Sequence, residues 1–494
     1  MGLHAGEAIV AGVPGRRLLG ALPAVWALVA AGLLFWLFRG WGYDDPYITY
    51  RYAANLARGA GFVYNEGERV LSTTTPLYAL VLAAARLAGA DIPLASNLIA
   101  CASLGLGGLA FWYFGQSWRM PLAGAVGMVL YPLFPLLTGS IGGEAALYLA
   151  LTLFGLLAYT RGRYAVAGAL LALGALMRFD GVLAAAVCGA HFLLARRQPI
   201  PWRAVAVYAA LIGPWLLFAA VYFGAPFPVT LEAKRRQGLL PFSEHFLPGL
   251  LRLVREQYWH FPIYRPHFVL AAVGLLYGLA RWRRRDAGAA WLLIAGWSAL
   301  YALAYAALGV TSYFWYYAPI VPGFVTLVGL GAQAAGAMVQ RYAGAGWAGA
   351  LAGALALALL FPQSASIDYQ ARHPDPRLAI YQSTGAWLRE QTPPGASVGT
   401  LEVGIIGYYA GRRMVDFAGL IQPDVALRLT PATSYDDAAL WAAGRYRPEY
   451  LVLRPGSLPR LEREWVAAQA CRALQTLSDP AYDATLVIYH CPRS

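Results

Sequence analysis

The feature that most constrains this chain is a succession of apolar runs of bilayer-crossing length, separated by short polar links. The runs cover roughly residues 18–38, 76–88, 93–115, 121–137, 143–160, 164–177, 181–196, 202–223, 267–281, 288–308, 313–337 and 345–361. A helix needs about 20 apolar residues to cross the hydrocarbon core. Only structures that satisfy their own backbone hydrogen bonds survive there. The pattern therefore predicts a polytopic helix bundle. Apolar residues make up 59% of the chain and charged residues 13%, which excludes a disordered chain, a collagen-like fibre and an ordinary soluble enzyme. The first run follows Arg16-Arg17 and is too long for the apolar stretch of a simple signal peptide, so it reads as a first span.

Charge sets an expected sidedness. The formal net charge is +13. In a soluble protein that excess would suggest nucleic acid, but here the arginines sit in the links: Arg161 and Arg163, Arg196-Arg197, Arg281 with Arg283-Arg284-Arg285, and Arg341. This is the positive-inside distribution of a membrane protein, and no nucleic-acid partner is expected. It predicts a cytoplasmic N-terminus, and places 223–266 and everything after Phe361 outside. An odd number of spans follows, 11 or 13, with 76–88 the run least suited to crossing. The predicted architecture is predominantly α. Residues 1–361 form the membrane module, with external loops at about 39–75 and 223–266. Residues 362–494 form a small extracytoplasmic α/β domain. In that domain the sequence predicts helices at 377–391, 435–444 and 459–474, and strands near 397–403, 413–417, 449–454 and 483–490. Cys101 and Cys188 fall in apolar runs and read as packing residues. Cys471 and Cys491 share the polar region, where a disulfide in an oxidising compartment and two buried thiols are both open readings. The expected location is a bacterial plasma membrane.

Candidate chemistry concentrates on the expected outer face. Tyr43-Asp44-Asp45-Pro46 lies just beyond the first span. Pro46 suits a helix start with one aspartate as cap, but a second carboxylate beside it needs another reason. Acidic groups at a membrane edge are functional candidates, and an aspartate there suits the role of general base for a hydroxyl. Ser72-Thr73-Thr74-Thr75-Pro76 reads as a helix start with more hydroxyls than capping needs. Glu144 heads an apolar helix on that face, and Arg178-Phe179-Asp180 interrupts two runs there, an internal Arg178–Asp180 contact being the plain reading. Lys234-Arg235-Arg236 breaks the charge rule, as a phosphate-binding group would. His245, His260 and His267 have no metal-site spacing. The aromatic run Tyr313 to Tyr317 fits an interfacial belt or a sugar platform.

The ordered set Asp44-Asp45-Pro46-Tyr47-Ile48, Arg51-Tyr52, Asn55-Leu56, Gly59 to Asn65, Gly67-Glu68-Arg69-Val70 and Thr74-Thr75-Pro76-Leu77 resembles the GT-C superfamily of integral membrane glycosyltransferases. It is most similar to the bacterial arabinofuranosyltransferase/mannosyltransferase-like branch. Pro226 to Lys234, Gly404 to Tyr409, Asp416 and Gly419-Leu420 add to the likeness. The resemblance implies transfer of a sugar from a polyprenyl-phosphate donor to an envelope glycan or glycolipid on the outer face, with inversion at the anomeric carbon. It implies Asp44 as base with Asp45 as partner, either being able to do the work. Tyr43, Arg51, Thr74, Thr75, Glu144, Asp180, Lys234 and Arg235 are the implied substrate-binding residues. A divalent metal is possible, since such enzymes differ in metal use, and none is required by the residues themselves. The rival readings are another GT-C activity that modifies lipid A or protein, and a lipid-linked sugar transporter or flippase. A transporter would carry charged or helix-breaking residues near mid-span and inverted repeats, whereas this chain gathers its polar groups on one face.

Overall fold

A computed structural model describes residues 14–196 and 198–492. Arg197, one of the arginines used to set sidedness, lies outside the described residues. Among these residues eight helices are long and apolar enough to cross a membrane. They include Ala21–Phe38, Ile92–Ser117, Trp202–Phe223 and Ala287–Leu308, with shorter apolar helices at Pro76–Leu87, Pro121–Leu130, Ala145–Thr160 and Tyr164–Met177. The chain is a multi-pass membrane protein. The run at 121–137 is broken, because Pro132 and Pro135 end one helix at Leu130 and start a short one at Pro135–Thr138. The last long helix, Ala345–Arg372, continues across residue 361.

Small residues let the helices touch. A Cβ on Gly274 would collide with the backbone oxygen of Leu327, and one on Gly331 with that of Leu270. Helix Arg265–Arg283 and helix Val321–Ala343 therefore meet backbone to backbone, as membrane helices do where bulk is absent.

The C-terminal part carries a five-stranded sheet in the order β2-β1-β3-β5-β4. The strands are β1 (Ser397–Thr400), β2 (Arg413–Asp416), β3 (Tyr450–Leu453), β4 (Arg472–Asp479) and β5 (Tyr482–His490). β1 runs parallel to β2 and β3, while β5 is antiparallel to β3 and β4. β1 and β3 are buried along their whole length, and β3 accordingly reads as a short unbroken apolar run. The helices expected at 377–391 and 435–444 form as Arg377–Gln391 and Tyr435–Tyr446. The one expected at 459–474 does not run to its end. Helical structure stops at Ala467, Ala470 takes a left-handed φ of 47°, and β4 begins at Arg472. Cys471 is joined to Cys491, so the chain is tied to the end of β5 where the helix was expected to continue. Cys101 and Cys188 are free and buried.

Between bundle and sheet lies the segment that follows α1 (Pro14–Phe38). It contains α2 (Asp44–Ala57) and leads to α3 (Pro76–Leu87). One side of this segment is stitched to the sheet domain. The buried Arg51 guanidinium donates to the carbonyls of Tyr64 (2.8 Å), Gly407 and Arg412. Asn65 exchanges two hydrogen bonds with the backbone of Met414, both 2.9 Å, and Glu68 pairs with Arg413 at 2.6 Å. The Tyr64 hydroxyl donates to the Val403 carbonyl.

Candidate active site

The other side of the same segment lines a cavity of about 350 Å³. Tyr43, Asp45, Thr49, Thr73, Thr74, Thr75, Glu144, Arg178, Asp180, Lys234 and Tyr305 all reach it. Tyr43 precedes α2 in an extended conformation, so both aspartates occupy the first helical turn. Successive residues of a helix point about 100° apart, and the two carboxylates part company. Asp44 turns to the sheet domain and accepts from the backbone N–H groups of Gly404 (3.0 Å) and Ile405 (2.7 Å). Asp45 turns into the cavity, where its carboxylate lies 3.6 Å from the Lys234 ammonium and its side chain keeps 31% of its exposure.

Burial pushes the Asp44 carboxyl above its ordinary range, against the pull of those two N–H groups. It affects Glu402 too, whose carboxyl is pushed up to about 8 by burial and then by Asp44. Lys234 is buried beside the Tyr313 ring, 4.0 Å from its centroid. Burial lowers its pKa, but Asp45 and the neighbouring tyrosines raise it further, so the ammonium stays charged. Lys234 lies in the helix Thr230–Gln237, whose other cations go elsewhere. Arg236 pairs with Glu232 at 2.7 Å, and Arg235 is exposed, 3.8 Å from the same Glu232.

Two further walls complete the cavity. Thr49, Thr73 and Thr75 form a closed triangle of hydroxyls at 3.0–3.1 Å. Opposite, Arg178 bridges Glu144 (2.8 Å) and Asp180 (2.7 Å), and the Tyr305 hydroxyl donates to Asp180 at 2.6 Å. The expected Arg178–Asp180 contact is therefore present, with Glu144 as its third member. An Arg between two carboxylates fixes all three groups. The mouth is greasy: Val182, Phe227, Leu231 and Leu308 line it and are exposed.

Of the residues singled out in the sequence, Tyr43, Asp45, Thr74, Thr75, Glu144, Asp180 and Lys234 share this cavity. Asp44 and Arg51 are instead engaged with the sheet domain, and Arg235 lies on the surface. Thr49, Tyr305 and Tyr316 were not singled out one by one. Thr49 was findable, one helical turn after Asp45 on the same face. His245 donates from Nδ1 to the Gly309 carbonyl, and buried His267 contacts the Leu359 carbonyl and Gln363. Among the described residues no three His, Cys, Asp or Glu side chains are arranged to hold a metal ion.

The fold has known counterparts. A family model described as Domain of unknown function (DUF8728) matches residues 367–489. No curated protein sequence matches the chain. Among solved structures, the ArnT of Cupriavidus metallidurans in its apo state is 14% identical with a TM-score of 0.60, covering 95% of this chain and 98% of that one. The same protein bound to undecaprenyl phosphate is 13% identical with a TM-score of 0.60, over 97% and 98% of the two chains. The apo oligosaccharyltransferase of Archaeoglobus fulgidus is 15% identical with a TM-score of 0.58, over 90% of this chain and 70% of that one. At such identities the likeness is one of fold: a polytopic helical membrane module joined to a small sheet domain.

Proposed function

We propose that this protein is a membrane glycosyltransferase that moves a sugar from a polyprenyl-phosphate donor to the hydroxyl of a glycan or glycolipid, with Asp45 as general base. The observation that carries the reading is the position of Asp45, a carboxylate aimed into a cavity with a buried cation beside it and an apolar mouth. A donor of this kind keeps its prenyl tail among Val182, Phe227, Leu231 and Leu308 while its headgroup enters the cavity. The acceptor oxygen attacks the anomeric carbon as its proton passes to an Asp45 Oδ. The bond from that carbon to the phosphate oxygen breaks on the opposite side, and the lipid phosphate leaves with the electron pair. Attack from one face and departure from the other inverts the centre. Lys234 offsets charge on the leaving phosphate. The threonine triangle offers neutral donors and acceptors to sugar hydroxyls, and the Arg178–Glu144–Asp180 triad forms a rigid far wall.

The motif order in residues 42–77 supports the arabinofuranosyltransferase/mannosyltransferase-like branch. The arginine distribution supports a bacterial plasma membrane, with the N-terminus cytoplasmic and the sheet domain outside. The test is sugar transfer in lipid nanodiscs from a panel of polyprenyl-phosphate sugars to envelope glycan extracts. Wild type transfers and Asp45→Asn does not, although it folds. Equal turnover by the two would sink the base assignment.

A further inference from the structure

Tyr43 is a partition. One side of it belongs to the Asp45 cavity, and the other lines an open crevice of about 570 Å³ with Trp41, Phe314, Arg377 and Tyr482. That size falls within the roughly 300–1,000 Å³ of small-molecule sites. The aromatic rings come from three distant segments and are held in place. The Trp41 indole donates to the Gly139 carbonyl at 3.2 Å, and Tyr43 packs edge-on against Phe314 at 5.3 Å and stacks on Trp315 at 5.1 Å. Arg377 is oriented by Asp375 at 2.8 Å and reaches Glu402 at 3.7 Å. Glu402 then lines a smaller crevice of about 180 Å³ at the carboxyl ends of β1 and β3, and Tyr482 borders both crevices. The chain leaves β1 toward β2 and leaves β3 toward the opposite edge. Such a divergence is where open α/β sheets bind ligands.

We propose that these adjoining crevices bind a neutral glycan several sugars long, the acceptor, whose terminal hydroxyl passes Tyr43 to reach Asp45. Sugar rings have apolar C–H faces and hydroxyl edges, which match aromatic faces flanked by fixed charged groups. The crevices carry Asp375 and Asp483 against Arg377, so a phosphorylated acceptor meets repulsion, while a lipid chain would strip water from those charged groups. The direction of the glycan rests on the Asp45 reading; its binding does not.

The test uses the full chain in nanodiscs with linear hexaoses of mannose, glucose and arabinose, and their methyl monoglycosides. Affinity is measured together with hydrogen-exchange protection of residues 373–377 and 481–483. At least one hexaose binds and protects both segments, and its monoglycoside binds about tenfold more weakly or worse. Tyr482→Ala and Arg377→Gln each weaken the hexaose about tenfold. Tyr482 also packs edge-on against Tyr381, so Tyr482→Phe accompanies it and retains binding. Binding by none of the hexaoses, or equal binding by wild type and both weakened variants, overturns the proposal. Donor turnover in the same discs separates the two readings. Hexaose binding without turnover defeats sugar transfer and leaves the glycan tract standing; turnover without hexaose binding does the reverse.

Discussion

The two faces of α2 are built from one stretch of chain and do opposite things. On one face Asp44, Arg51 and Asn55 stand at positions i, i+7 and i+11, a helical stripe. Asp44 and Arg51 bond the sheet domain, and Asn55 holds the loop carbonyls of Val63 and Tyr64. On the other, Asp45 and Thr49 face open space beside Lys234. Asp44 and Asp45 are the same chemical group one residue apart. Two backbone N–H groups close off the first, while the second has a single cation 3.6 Å away and room for a ligand. Adjacency in a motif does not mean shared duty when the helix turns by about 100° at each step.

The sharpest way to break this contrast is Asp45→Asn, which should lower turnover by about 10²–10⁴-fold, the usual contribution of a general base, with an unchanged melting temperature. If Asp44→Asn has that effect and Asp45→Asn does not, the two faces have been assigned the wrong way round. Next in size, Arg51→Met strips donors from three carbonyls and should destabilise the sheet domain's attachment by roughly 3 kcal/mol or more. Limited proteolysis near residues 405–413 reads this, and resistance equal to wild type would argue against a clamp. Asp44→Asn keeps one acceptor oxygen and should cost about 1–2 kcal/mol while turnover stays within about tenfold.

The smallest effect sharpens the comparison by pH. The folded Glu402 carboxyl holds its proton up to about 8, whereas an unfolded one releases it near 4.5. Between those values the folded state binds the extra proton, so stability falls as pH rises and levels off above about 8. The Glu402 side chain is 38% exposed, and solvent screening holds the change to roughly 1 kcal/mol or less. Glu402→Gln should flatten this part of a plot of melting temperature against pH; a slope like that of wild type would place the proton elsewhere.

Much of this was legible in the sequence, for identifiable reasons. Long apolar runs report spans because length and hydropathy are local properties. The two prolines that break the run at 121–137 were visible, but how a broken run sits in a bundle depends on neighbours. The helix expected at 459–474 overran because residues 472–479 alternate ambiguously, and the partner that makes them a strand, β5, lies further along the chain. The charge rule flagged Lys234 and Arg235 together, and only three-dimensional packing sends one to Asp45 and the other to the surface. The Asp-Asp pair stood out in the sequence as a candidate site. Which aspartate faced the cavity was not, because the groups that claim Asp44 are 360 and 361 residues away.

That separation also sets a timetable for a newly made chain. At about 5–20 residues per second, the partners of Asp44 emerge roughly 20–70 s after it does. Until then Asp44, Arg51 and Asn65 have none of their distant partners, and the wall that Leu420 adds to the cavity does not exist. The first loop is thus synthesised early and finished late, and a ribosome that stops short of the sheet domain leaves a bundle whose working end was never assembled.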